Sequence, residues 1–258
     1  MTIAILSALL DEQRGLLQEL TDPVKVQRGG RDFWRGNWHG QQVVLALSRI
    51  GKVAAATTAT TLIEAFDVDA IVFTGVAGGV GAGVKVGDVV VASSFVQHDM
   101  NASPLFPLYE VPLYGRREFA CDERLSHWLW QAAASVPTSP DAGSHAVQSA
   151  VHRGLIASGD RFIATAAESA RVVGELQQAG LLPLAVEMEG AAVAQVCHDY
   201  DVAFAAVRTI SDRADDQAHA DFSQFVKEVA SPYALVMMRR LMVLRQGGMA
   251  AMPASRVS

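Results

Sequence analysis

The sequence predicts an α/β fold: one three-layer α/β/α domain around a mixed, mostly parallel central sheet. Three observations predict it. Short apolar, β-branched runs alternate along the chain with helix-patterned segments, the sequence form of strands joined by crossover helices. The chain has 258 residues, half of them apolar and only 19% charged, which is enough for one sizeable core and too apolar for a disordered chain. No internal repeat divides it, so residues 1–246 are expected to form a single domain. From Gly247 onward Gly, Pro, Ala and Ser mix, and 247–258 is expected to be a flexible tail.

The elements follow in order. Thr2 to Leu9 is a short apolar run and reads as a strand, and Leu16, Leu17 and Leu20 in the segment 11–20 have helical spacing. Residues 31–48 alternate with aromatic and β-branched side chains and break at Trp38-His39-Gly40-Gln41, which predicts a hairpin. After Gly51, residues 52–66 are rich in Ala and Thr and suit a helix packed on both sides. A strand at 70–74 leads to a glycine-rich turn, and residues 87–96 form a continuous β-branched run, as in a strand covered on both faces. Residues 100–120 hold Pro104, Pro107 and Pro112 without any period and read as a long ordered loop. Helix 122–134, a surface connection at 137–144, strand 152–158, helix 165–179, strand 184–188, helix 189–200, strand 203–210 and a long helix from about 222 to 244 complete the pattern.

Composition excludes several classes of function. Twenty-seven acids against twenty-one Lys and Arg give a formal charge of −6, which argues against a polyanion, so no nucleic-acid partner is expected. The charge-free stretch Ala70 to Val84 carries five glycines and falls short of the ~20 apolar residues of a spanning helix. The apolar run Ile3 to Leu10 has no basic leader and meets Asp11 and Glu12 at once, so neither a membrane segment nor a secretory signal is expected, and the location is read as cytoplasmic. Cys121 and Cys197 stand apart, without metal-ligand spacing. They are too few for a disulfide framework or a zinc site, and no metal is expected.

In such a sheet, ligands bind beyond the carboxyl ends of the strands. Thr74-Gly75-Val76-Ala77-Gly78-Gly79 follows a strand there, and its glycines let backbone N–H groups approach a ligand, but it is neither a dinucleotide fingerprint nor a P-loop. Glu187 and Glu189 flank Met188 at the end of an apolar strand, Asp212 follows another, and Glu12 follows the first. Each acid alone has an ordinary reading as a helix-start or capping residue. Together they fall at one end of the predicted sheet. His98 and His219 read as surface or structural residues.

Six segments in order carry a resemblance that spans residues 2 to about 244: Ile50-Gly51-Lys52-Val53-Ala54-Ala55-Ala56, residues 74–79 as above, Val84-Lys85-Val86-Gly87-Asp88-Val89-Val90, Ser158-Gly159-Asp160-Arg161-Phe162-Ile163, Val186-Glu187-Met188-Glu189 and Val207-Arg208-Thr209-Ile210-Ser211-Asp212. The chain resembles the nucleoside phosphorylase and hydrolase superfamily, and within it the 5′-methylthioadenosine/S-adenosylhomocysteine nucleosidases. The resemblance implies a nucleoside phosphorylase-like fold and cleavage of the bond between adenine and ribose by water, without a cofactor, in a homodimer. Such cleavage passes through an oxocarbenium-like sugar with negative charge flowing into the purine. By the same resemblance Asp212 is the acid that protonates the leaving base, which requires its proton to be held well above the ordinary carboxylate value of about 3.9. Glu12 is the base that deprotonates water. Glu189 binds the ribose hydroxyls, Met188 packs under the sugar, Phe162 stacks on adenine and the backbone of Ile163 reads its edge. Ile50, Val76, Ala77, Gly78, Glu187, Arg208 and Ser211 complete the implied substrate site.

The chain departs from that pattern in three places. Val76 stands where many relatives carry Ser, Leu9 where Met is common, and residues 100–118 are longer and more aromatic in a region that borders the 5′ substituent. Three rivals stay open at this point. A purine nucleoside phosphorylase would need a cationic phosphate site, where this chain has Leu10-Asp11-Glu12 and Phe73. A futalosine-type nucleosidase and a non-catalytic nucleoside-binding module share the fold.

Overall fold

The structure, a computed structural model, describes residues 2–13, 15–136, 149–214 and 222–250, with side chains as far as residue 248. The chain opens with β1 (Thr2–Ser7) and a single 3-10 turn (Leu16–Glu19), then β2 (Thr21–Arg28), β3 (Arg31–Trp38), β4 (Gln41–Leu47) and α1 (Lys52–Phe66). The middle holds β5 (Ala70–Gly79), β6 (Val89–Gln97), β7 (Glu118–Ala120), α2 (Glu123–Ala133), β8 (Val151–Ser158) and α3 (Ala166–Gln178). It ends with β9 (Pro183–Glu187), α4 (Gly190–Asp199), β10 (Ala203–Asp212), α5 (Phe222–Phe225), a π-helical turn (Val226–Ala230) and α6 (Ser231–Ala250).

The strands pair in the order β2-β3-β4-β1-β5-β9-β8-β6-β10, and β10 also pairs with β5, so five of them close into a ring. The sheet is mixed in a specific way. β1, β4, β5 and β10 run together, β6, β8 and β9 run together, and the two groups meet antiparallel at β5–β9 and β6–β10. At the first junction Gly78 lies opposite Val186 and Gly79 opposite Ala185, so the carboxyl ends of oppositely running strands converge on one place.

Side-chain alternation builds both faces of the sheet at once. Ala4, Leu6, Val44, Ala46 and Phe73 join α1 and α4 in one core. Ile3, Ile5, Val43, Leu45 and Val72 join α2 and α6 in the other. A strand covered on both sides has no polar face, which is why these segments read as unbroken apolar runs. Among the described residues no helix is long and apolar enough to cross a membrane.

Three local expectations are corrected, and one strand, β2, was not anticipated. Residues 11–20 are not a helix: Glu12 turns its carboxylate back onto the amides of Ala8 and Leu9, and Gln13 bonds Ala46 O, so only one 3-10 turn forms while Leu16 and Leu20 still reach the core. Strand β2 has no apolar face, being an edge strand exposed at nearly every position and carrying Pro23, and it left no period to detect. The glycines after Thr74 are not a turn but the continuation of β5, where a Cβ at Gly78 would come within 2.9 Å of Ala214 Cβ. The last helix does not stop near Leu244. Its final turns are tied down by Arg245 Nη1 to Gln41 Oε1 and Gln41 Nε2 to Met242 O, and it runs to Ala250. The connection expected at 137–144, His219 and residues 251–258 lie outside the described residues.

Candidate active site

A cavity opens where the ends of β1, β5, β9 and β10 converge. Twelve of the thirteen residues expected from the sequence line it: Glu12, Ile50, Val76, Ala77, Gly78, Phe162, Ile163, Glu187, Met188, Glu189, Ser211 and Asp212. Arg208 does not.

Glu12 is only 3% exposed. Its Oε2 accepts the amides of Ala8 and Leu9 at 2.8 Å each, and Oε1 accepts that of Val76 at 3.2 Å. Burial pushes its carboxyl above the ordinary value, against the pull of those three amides and of Arg208. Position 76 therefore serves Glu12 through its backbone, whatever its side chain.

Glu187 is saturated with donors. Ser158, beside it in the β8–β9 register, bonds Oε1, the Gly190 amide reaches both oxygens at 2.9 Å, and Arg208 Nη2 reaches Oε2 at 2.8 Å. Arg208 is 1% exposed, gives Nη1 to Phe73 O at 3.0 Å and lies 4.1 Å from the centre of the Phe73 ring. It stands behind Glu187 and is not among the residues that line the cavity. β10 carries Arg208 inward from the middle of the strand, so its side chain ends beneath the cavity floor.

Glu189 stands at the start of α4, with Oε1 accepting the Gly51 amide at 2.8 Å. Burial first, then the charges of Glu187 and Glu12, push its carboxyl up to about 8, against the Gly51 amide and Arg208. Asp212 sits past a bulge at the end of β10. Its Oδ1 accepts the Ala214 amide at 2.7 Å, and the Ser211 hydroxyl bonds Oδ2 at 2.6 Å.

On the apolar side Phe162 is 42% exposed and meets Phe222 edge to face, centroids 6.5 Å apart. Ile163 is buried beneath. Phe222, Ala8, Leu9, Arg161 and Val186 also line the cavity, and sequence reasoning did not single them out for it. Phe222 follows a stretch without periodicity, so nothing local marked it. Arg161 is ion-paired with Glu168. His98 is not on the cavity, and burial lowers its imidazole pKa. Cys121 and Cys197 are free, buried thiols, with burial pushing Cys121 up to about 12. The cavity thus offers an open aromatic face, a buried carboxylate braced by amides and three further acids, an arrangement suited to a flat heterocycle on a polyhydroxylated ring.

Comparison with known proteins agrees with this arrangement. A sequence model of the phosphorylase superfamily matches residues 2–240. A 5′-methylthioadenosine/S-adenosylhomocysteine nucleosidase of Anoxybacillus flavithermus is 36% identical over 231 residues, 89% of this chain and 93% of that protein. The crystal structure of a nucleosidase with the same name from Neisseria meningitidis, in complex with methylthio-immucillin-A, superposes with a TM-score of 0.82 at 33% identity, over 93% of this chain and 98% of that one. The futalosine hydrolase of Helicobacter pylori gives 0.81 at 32% identity, over 94% and 98%.

Proposed function

Because the chain belongs to the phosphorylase superfamily, we infer that it hydrolyses the N-glycosidic bond of an adenine nucleoside, with 5′-methylthioadenosine, S-adenosylhomocysteine or both as substrate, releasing adenine and the 5′-substituted ribose. The observation that carries hydrolysis over phosphorolysis is Glu12. A buried carboxylate fixed by three amides occupies the attack side, and among the described residues the only cation lining the cavity is Arg161, already paired with Glu168. A phosphate there would meet negative charge and no free cation.

In this reading Glu12 takes a proton from water as it attacks the anomeric carbon, and its raised affinity for that proton suits a general base. Glu189, with Oε1 held by Gly51, offers its other oxygen to the ribose hydroxyls. Phe162 gives adenine a face to stack on, Ile163 reads its edge, and Asp212 delivers a proton to the departing base as negative charge gathers there. Glu187 braces the start of α4 by its bonds to Gly190 and Arg208.

The same reading makes the protein a cytoplasmic homodimer in which the partner's 100–118 loop closes over the 5′ group. The loop's surface supports this. Tyr109 is buried and Tyr114 folds back onto Asp199, but Leu105 is 85% and Leu113 91% exposed, with Ile50 and Val53 exposed as well. The deciding assay follows adenine released from 5′-methylthioadenosine with and without phosphate, with futalosine in parallel. Release independent of phosphate is expected. A phosphate requirement, binding without release, or cleavage of futalosine alone would overturn the reading.

A further inference from the structure

Glu189 is held by a device that lies outside the cavity. The amides of Gly51, which caps α1, and of Lys52, its first residue, point at carboxylates from two different segments: Gly51 N donates to Glu189 Oε1 at 2.8 Å, and Lys52 N donates to Asp160 Oδ1 at 2.7 Å. Asp160 is in turn fixed by its own amide, which donates to Asp99 Oδ2 at 2.9 Å. The circuit closes through Lys52, whose ammonium lies 2.5 Å from Asp99 Oδ1 and 2.9 Å from Gln97 Oε1. Three segments, the start of α1 and the loops after β6 and β8, are therefore stapled by one closed ring of charge-assisted bonds. Partial burial works against the Asp99 carboxylate, but Lys52 and the Asp160 amide outweigh it and hold it below its ordinary value.

What the ring fixes is the direction of the Gly51 N–H. Gly51 has φ 94° and ψ 156°, a conformation open almost only to glycine, and a Cβ there would lie 3.2 Å from Asp160 Oδ1. Such a peptide has no preference of its own for this orientation. Its neighbour Lys52, anchored through both backbone and side chain, supplies one. With Oε1 held by that amide, the other oxygen of Glu189 is left to face the cavity.

We propose that Asp160 is a positioning residue for Glu189: through the Lys52 amide it aims the Gly51 N–H, and so sets which oxygen of Glu189 is presented to the ribose hydroxyls. The proposal rests on the assignment of Glu189 to those hydroxyls and adds a residue that touches no substrate. The Asp160 side chain does not line the cavity and is exposed, so substituting it leaves both cores intact.

The test compares Asp160→Ala and Asp160→Asn in the wild-type and Glu189→Ala backgrounds, reading KM and kcat for 5′-methylthioadenosine and, separately, the Gly51 N to Glu189 Oε1 distance in a crystal structure of Asp160→Ala. Losing an anchor of this kind should raise KM about three- to tenfold with kcat within about twofold, and Asn, which can still accept from Lys52 N, should restore KM to within about twofold. In the Glu189→Ala background Asp160→Ala should change nothing further. The crystal structure should show the Gly51–Glu189 bond broken or Glu189 turned. An unchanged KM, an equal rise in the Glu189→Ala background, or an undisturbed Gly51–Glu189 bond would overturn the proposal. If Glu189→Ala itself leaves KM unchanged while the crystal shows Glu189 displaced, the ribose assignment fails and the mechanical link stands.

Discussion

Arg208 and Glu187 form an ion pair sealed from solvent on both sides, 2.8 Å apart, with every other polar atom of the carboxylate also hydrogen-bonded. Such a pair contributes little compared with an apolar one of the same shape, but half of it is expensive. Arg208→Met leaves Glu187 buried without its ion-pair partner, and should destabilise the fold by about 3–5 kcal/mol in urea unfolding. A loss below about 1 kcal/mol would mean that the carboxylate finds another partner or a proton.

Asp212→Asn keeps the shape and an acceptor for the Ala214 amide, but has no proton to give. Turnover should fall by about 10²–10⁴-fold or more while nucleoside binding by calorimetry stays close to wild type. Wild-type kcat in this variant would remove Asp212 from the role of general acid.

Glu12→Gln replaces the base with an amide whose NH₂ must face backbone N–H groups, since both oxygens of Glu12 now accept them. Crystals soaked with 5′-methylthioadenosine should hold intact nucleoside. Adenine and free sugar formed at wild-type rate would assign water activation elsewhere.

Glu189→Gln should separate stability from function. The Glu189 carboxyl is raised by burial and by the neighbouring acids Glu187 and Glu12, so its contribution to stability is full below about 4.5 and is lost as pH rises through about 8. Gln carries no such loss and can still accept the Gly51 amide. Thermal unfolding should therefore show the variant gaining on wild type as pH goes from 5 to 9, while its KM rises. Parallel pH–stability curves for the two proteins would contradict the raised carboxyl.

Leu105→Ser with Leu113→Ser removes the two most exposed apolar side chains of the 100–118 loop and leaves Tyr109 and Tyr114 packed as they are. The double variant should sediment increasingly as a monomer at micromolar concentration, and KM should rise more for 5′-methylthioadenosine than for adenosine. A wild-type protein that is monomeric and fully active would exclude a pocket shared between subunits.

Most of the fold was legible because covered strands announce themselves. β1, β4, β5, β6 and β10 are apolar on both faces. β2 was not legible, since an exposed edge strand needs no apolar side. The loop around Glu12 misled because Leu16 and Leu20 are buried at helical spacing although Glu12, by capturing two amides, prevents the helix. In the site, residues that meet the cavity from strand ends were found by position. Arg208 does not line the cavity although its motif neighbours do, because a motif shows which residues cluster but not where a side chain ends. The Lys52, Asp99 and Asp160 ring joins residues too far apart in the chain for any local pattern to connect them.

The closing strand of the ring, β10, is the last strand of the chain, and until it is in place β5 and β6 both have an open side. During synthesis the glycine-rich end of β5 must therefore wait from residue 79 until residues 208–212 have emerged before it acquires this neighbour. The interval is a hazard, because unsatisfied sheet borders recruit whatever strand is nearest. It also means that activity cannot precede completion: Glu12 arrives with the first strand and Asp212 with the last, so a ribosome-bound fragment can hold a formed half-sheet yet own only one side of the chemistry.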